Sequence, residues 1–213
     1  MKIRHLKASD YPLQTWKNGQ GTTLELAVDE KTPYRWRLSS ATMIGASEFS
    51  LYEGYQRALI LLGPGPLHLR HEGAGHRSLA SFEVYSFSGD LKTKAELIGA
   101  AQDFNVWAKH GEARASVFAM NLKDQERVDF PLKGDEHFIY CVEGSLSLFE
   151  RNTDHTYQVN PGEMLHLKRL PRKECLDLQA KGEGAARFIW TVIHLAEKTA
   201  RQKKTTTGKS KGL

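Results

Sequence analysis

The sequence predicts an all-β fold, arranged as two antiparallel barrels in one chain, and three observations predict it. Short apolar and β-branched runs alternate with turn residues along nearly the whole chain, which is the pattern of many short strands. The pattern occurs as two series, one on each side of a boundary between residues 105 and 112. Helical character is confined to Ala8–Leu13 and Leu91–Gly99, both too short to alternate with strands in a parallel α/β sheet.

The first series runs through Trp36–Ser39, Arg57–Leu62, Leu67–Leu69 and Ala80–Phe87. The second runs through Ala115–Met120, His137–Val142, Ser145–Phe149, Glu163–Leu167 and Ala186–Leu195. In each half an apolar strand reaches glycine-bearing turn chemistry: Leu59–Leu62 leads to Gly63–Gly65, and Phe138–Val142 leads to Glu143-Gly144-Ser145. This repetition suggests two related barrels, one over residues 1–108 and one over 109–197. Residues 198–213, rich in Lys, Thr and Gly, read as a disordered basic tail.

With 213 residues, 40% hydrophobic and 26% charged, the chain is long enough to bury such a core. The apolar stretch from Ala58 is broken at Gly63–Pro66, short of the roughly 20 residues that cross a bilayer. Met1–Leu6 leads into no apolar signal region, so a cytoplasmic protein with no membrane partner is expected. The net charge of +5 resides in the tail, where six basic residues meet no acid; the remaining 24 basic residues face 25 acids. A specific nucleic-acid partner is therefore not expected. Cys141 and Cys175 form no CxxC pair and read as free, buried thiols of a reducing compartment.

Two clusters carry candidate chemistry. Trp16-Lys17-Asn18-Gly19-Gln20-Gly21-Thr22-Thr23-Leu24-Glu25 is a polar loop entering a strand; it lacks the GxxxxGK[ST] spacing of a phosphate-binding loop, and no amphipathic helix follows it. In Trp36–Ala41, a strand that directs Leu38 to one face directs Arg37 and Ser39 together to the other. The planar fork of an arginine suits a carboxylate. Alternation alone favours instead an outward-facing arginine on a solvated sheet face.

Together these segments, with Phe49–Gly54 followed by Arg57, Phe87-Ser88-Gly89-Asp90, and Asp103-Phe104-Asn105-Val106-Trp107, resemble the HutD/Ves family in order and spacing over roughly residues 10–110. Gln20 stands where that family has its middle glycine, and Trp107 stands where it has Met. The resemblance implies a bicupin, two cupin-like antiparallel β-barrels in one chain, with a ligand pocket in the N-terminal half. It places Trp16, Lys17, Asn18, Arg37, Ser39, Arg57, Asp103 and Asn105 in that pocket. Trp16 would stack on a planar group, Lys17, Arg37 and Arg57 would neutralise an acid, and the others would orient polar edges.

The function expected is non-catalytic binding of a small carboxylate metabolite, such as the histidine-degradation intermediates urocanate and formylglutamate, to sense or limit flux, or a role in stress response. The alternative is a metal-independent isomerase or hydrolase with Glu25 or Asp103 as base. A purely structural or protein-interaction module fits least, because it predicts an apolar pocket. No cofactor is expected. Aligned to the cupin metal motifs, the C-terminal half keeps only His137 and His166 at ligand positions, and the N-terminal half keeps none. His68, His71 and His76 read as surface residues of a Gly-rich hairpin. Sheets of this kind pair across edges, which leaves room for a homodimer.

Overall fold

The computed structural model describes residues 2–16, 19, 21–150, 154–168 and 178–196, with backbone only at 178–180. In chain order the elements are β1 (Lys2–Leu6), a 3-10 turn (Ala8–Asp10), β2 (Leu13–Thr15), β3 (Gly21–Val28), β4 (Trp36–Ile44), β5 (Ser47–Glu48), β6 (Tyr55–Leu61), β7 (Leu67–His71), β8 (Gly75–Leu79) and β9 (Val84–Ser88). They continue as β10 (Thr93–Glu96), β11 (Ala100–Lys109), β12 (Ala113–Leu122), β13 (Arg127–Phe130), β14 (Glu136–Glu150), β15 (Thr156–Val159), β16 (Met164–Lys168) and β17 (Leu178–Leu195). The tail and Cys175 lie outside the described residues.

The strands form three antiparallel sheets. A central sheet runs β2-β3-β4-β11-β6-β9, a small sheet β5-β10-β7-β8, and a large sheet β1-β16-β14-β17-β12 with β13 beside β17 and β15 beside β14. None closes into a barrel among the described residues, since each strand order ends on two edges. The crossing from β11 to β12 spans residues 110–112, while β1 joins the large sheet against β16, from Lys2 opposite Lys168 to Leu6 opposite Met164.

The period-two alternation of a strand gives the central sheet two working faces. Trp36 and Leu38 on β4, Ala58 and Ile60 on β6, and Phe104 and Val106 on β11 point one way, into a core shared with Phe138, Tyr140, Met164, Ile189 and Ile193 of the large sheet. Met43, Leu59, Leu61, Phe87 and Ala101 point the other way, packing on Leu67, Leu69, Leu79 and Ala95 of the small sheet. A third cluster, including Phe130, Ile139, Leu148, Leu165 and Phe188, fills the far side of the large sheet.

Two local expectations are corrected. Leu91–Gly99 holds no helix; its middle, Thr93–Glu96, is strand β10, with Thr93 and Ala95 buried while Lys94 and Glu96 face solvent, a period of two rather than 3.6. Glu143-Gly144-Ser145 is no turn: β14 runs through it with register shifts on β17, and Gly144, at φ 71°, takes the left-handed conformation that this bulge requires. The expected Gly63–Gly65 connection does separate β6 from β7.

Candidate functional site

The polar face of the central sheet opens onto a cavity of about 620 Å³. Cross-strand register assembles its floor: Trp107 lies opposite both Arg37 and Arg57, and Asn105 lies opposite Ser39 and Leu59. Asp103, Asn105 and Trp107 share this face because they occupy alternate positions of β11. Trp16, Thr23, Phe49 and Tyr52 form walls. Six of the eight sequence-predicted residues, Trp16, Arg37, Ser39, Arg57, Asp103 and Asn105, thus line one cavity. Lys17 and Asn18 lie outside the described residues.

A buried polar chain runs along the floor. Arg57 donates from Nε and Nη2 to Asn105 Oδ1 at 2.9 and 2.5 Å, and Asn105 Nδ2 donates to Asp103 Oδ1 at 2.5 Å. The Ala41 amide also donates to Asp103 Oδ1, at 3.1 Å. Burial lowers the pKa of Arg57 to about 10, opposed by the nearby Asp103 charge. Burial likewise raises Asp103 to about 6, although Arg57 and the Ala41 and Asn105 hydrogen bonds pull it down. The Arg57 guanidinium lies over Phe49 at 4.1 Å and Trp107 at 5.2 Å. Arg37 donates from Nε to Glu25 Oε2 at 2.9 Å and sits 5.2 Å from the Trp107 ring.

Three buried atoms of cavity-lining residues, Ser39 Oγ, Asp103 Oδ2 and Trp107 Nε1, meet no hydrogen-bond partner among the described residues. Each such group costs about 1–3 kcal/mol while it stays unsatisfied.

The walls explain the sequence motifs. Trp16 donates from Nε1 to Thr23 Oγ1 at 2.8 Å and its ring lies against Gly21, where a Cβ would stand 2.9 Å from the ring and 2.5 Å from the Thr42 carbonyl. The Phe49–Gly54 segment is pinned by Phe87–Asp90: the Tyr52 amide donates to Gly89 O at 3.0 Å, and the Gly54 amide to Asp90 Oδ1 at 2.8 Å. Phe49, Tyr52 and Trp107 were not among the predicted site residues. Their signal was present, Phe49 and Tyr52 in the Phe49–Gly54 motif and Trp107 two positions beyond Asn105 on the same face.

The histidines do not assemble a metal centre. On β14 and β16, His137 pairs with Leu167 and Phe138 with His166, so His137 and His166 project to opposite faces and cannot share an ion. His166 Nε2 instead meets buried Glu136 Oε2 at 2.7 Å. Contrary to the surface-hairpin reading, His71 is buried, bridging Thr93 Oγ1 at 2.8 Å and the Tyr85 hydroxyl at 3.0 Å, while His68 and His76 are exposed. No group of three or more His, Cys, Asp or Glu suited to a metal occurs among the described residues. Cys141 is a free thiol whose pKa burial pushes up to about 12. No helix among the described residues is long and apolar enough to cross a membrane.

Sheet topology and cavity define an all-β protein of cupin-like fold. A cupin 2 conserved barrel domain protein from Leptotrichia buccalis superposes with a TM-score of 0.56 at 9% identity, covering 84% of this chain and 92% of that one. The HutD family model matches residues 8–188, and the chain belongs to the HutD family. A Pseudomonas putida relative, an uncharacterized 21.2 kDa protein in the hutC 3′ region, is 36% identical over 109 residues, which span 49% of this chain and 57% of the relative. Protein Ves of Citrobacter koseri is 29% identical over 144 residues, 66% of this chain and 73% of Ves. The crystal structure of a conserved protein of unknown function from Pseudomonas aeruginosa PAO1 aligns with a TM-score of 0.82 and 26% identity, covering 91% of this chain and 99% of that protein.

Proposed function

We propose that the cavity binds a small carboxylate metabolite and releases it unchanged, so that the protein senses or limits the flux of an organic acid in the cytoplasm. The observation that carries this reading is the placement of Arg37 and Arg57 on one face of the central sheet, lining one cavity with Ser39, Asp103 and Trp107. Two guanidiniums supply charge and directed donors for a carboxylate, and the aromatic walls suit a planar remainder. The Pseudomonas putida relative's hutC-region name favours histidine-degradation intermediates such as urocanate or formylglutamate as the acid. A stress-response role is the other form this binding takes. In this reading the central and small sheets make one open cupin-like unit and the large sheet a second, a bicupin in which the first unit holds the ligand.

Thermal shift and calorimetry on metal-stripped protein with urocanate, histidine and formylglutamate test the proposal, with the recovered acid checked by mass spectrometry. One acid should raise the melting temperature and return intact. Arg37→Ala should weaken that binding by tenfold or more, about 1.4 kcal/mol, with folding retained. Unchanged affinity would remove Arg37 from the site. A metal-independent isomerase or hydrolase is the second reading, and the raised Asp103 carboxyl favours it, because a base near pH 6 is suited to proton abstraction. An acid recovered in altered form decides for it.

A further inference from the structure

From the exposed edge of the large sheet we infer that the chain pairs with a second copy of itself through β12, the two strands running antiparallel so that the large sheets become continuous. Among the described residues β12 pairs only with β17, and its other edge carries unmet backbone donors and acceptors. Soluble proteins blunt such edges with short strands, charges, prolines or bulges. The other edge strands among the described residues are shorter: β2 has three residues, β5 two, β13 and β15 four each. β1 has five residues and carries Lys2 and Arg4; β8 has five and carries His76 and Arg77; β9 also has five. In contrast, β12 runs ten residues, Ala113–Leu122, without proline, without a register shift on β17, and with Arg114 as its one charge. It also displays Phe118, 43% exposed, stacked on Trp190 at a centroid distance of 5.1 Å.

Geometry and charge both permit self-pairing. A two-fold axis perpendicular to the sheet keeps each face in register with itself, so residues of like parity must oppose one another. The longest such pairings centre on Val117 or on Phe118. Either brings the two Phe118 rings opposite or diagonal to each other, within reach for an aromatic pair. Either also sets Arg114 opposite an apolar residue of the second copy, Met120 or Leu122, so no like charges oppose.

The test is light scattering of the full chain over a wide concentration range, with Phe118→Lys, Phe118→Glu and Ser116→Lys variants whose folding is checked by circular dichroism. The native chain should form a dimer. Phe118→Lys and Ser116→Lys should each weaken it by roughly tenfold or more, and mixing Phe118→Lys with Phe118→Glu should restore it. A native chain that stays monomeric, a dimer indifferent to both lysine variants, or folded Lys and Glu variants that fail to restore it when mixed would overturn the inference.

Discussion

At the scale of single residues, the floor of the cavity depends on a carboxyl and a guanidinium held out of water together. Asp103 titrates at about 6 rather than its ordinary 3.8 because it is buried. The folded chain therefore keeps a proton that the unfolded chain has released between those values. Stability falls as pH rises through that window, by up to roughly 3 kcal/mol, and the contribution is present in full only below it. Asp103→Asn should flatten this part of the profile in urea midpoints measured from pH 4 to pH 7. It should also lower stability at neutral pH, because Arg57 would remain buried without its counter-charge. An unchanged slope would mean that Asp103 is ionised and solvated at low pH. The face that carries Arg37 and Ser39 was legible in the sequence from alternation around Leu38. The hydrogen-bonded chain from Arg57 through Asn105 to Asp103 was not, because β6 and β11 are separated by 38 residues of intervening chain and only their pairing register brings the three together.

At the scale of elements, the motifs that resemble the HutD/Ves pattern divide into residues that face the cavity and residues that shape its walls. Gly89 belongs to the second group. A Cβ there would stand 2.4 Å from the Tyr52 carbonyl and 2.9 Å from the Tyr55 carbonyl, two backbone atoms that cannot swing aside. Gly89→Ala should therefore push the Phe49–Gly54 segment off β9, cost roughly 1–3 kcal/mol, and weaken acid binding by displacing Phe49 and Tyr52. Thermal unfolding read alongside calorimetry separates the effects, and full affinity at reduced stability would show that these walls do not hold the ligand. Strands were legible wherever alternation was strong, as in β4 and β7. The sequence signal failed at Leu91–Gly99, where a four-residue strand is too short to show its period, and at Gly144, where one glycine serves a bulge as readily as a turn. The pinning of Phe49–Gly54 by Phe87–Asp90 could not be read locally, since it rests on contacts between segments more than 30 residues apart.

At the scale of the whole molecule, the core decides whether the two halves behave as separate units. Leu38, Ile60, Phe104 and Val106 of the central sheet are at most 1% exposed, and their burial depends on Phe138, Tyr140, Met164, Ile189 and Ile193 of the large sheet. Trp36 meets Phe138 at a ring distance of 5.1 Å, and Phe104 meets Tyr140 at 5.4 Å. A fragment ending at Lys109 would also leave β1 without its partner β16. Fully burying each of these side chains contributes about 1.5–3 kcal/mol, so exposing the set removes an amount comparable to the 5–15 kcal/mol by which domains are usually stable. The chain should then unfold in one transition, with calorimetric and van't Hoff enthalpies equal, despite its sequence reading as two repeats. Phe104→Ala should lower that single transition by about 3–5 kcal/mol without splitting it. Two resolved transitions, or a residue 1–109 fragment that folds alone, would show instead that each half closes its own core and that the shared apolar face is only a docking surface between independent units.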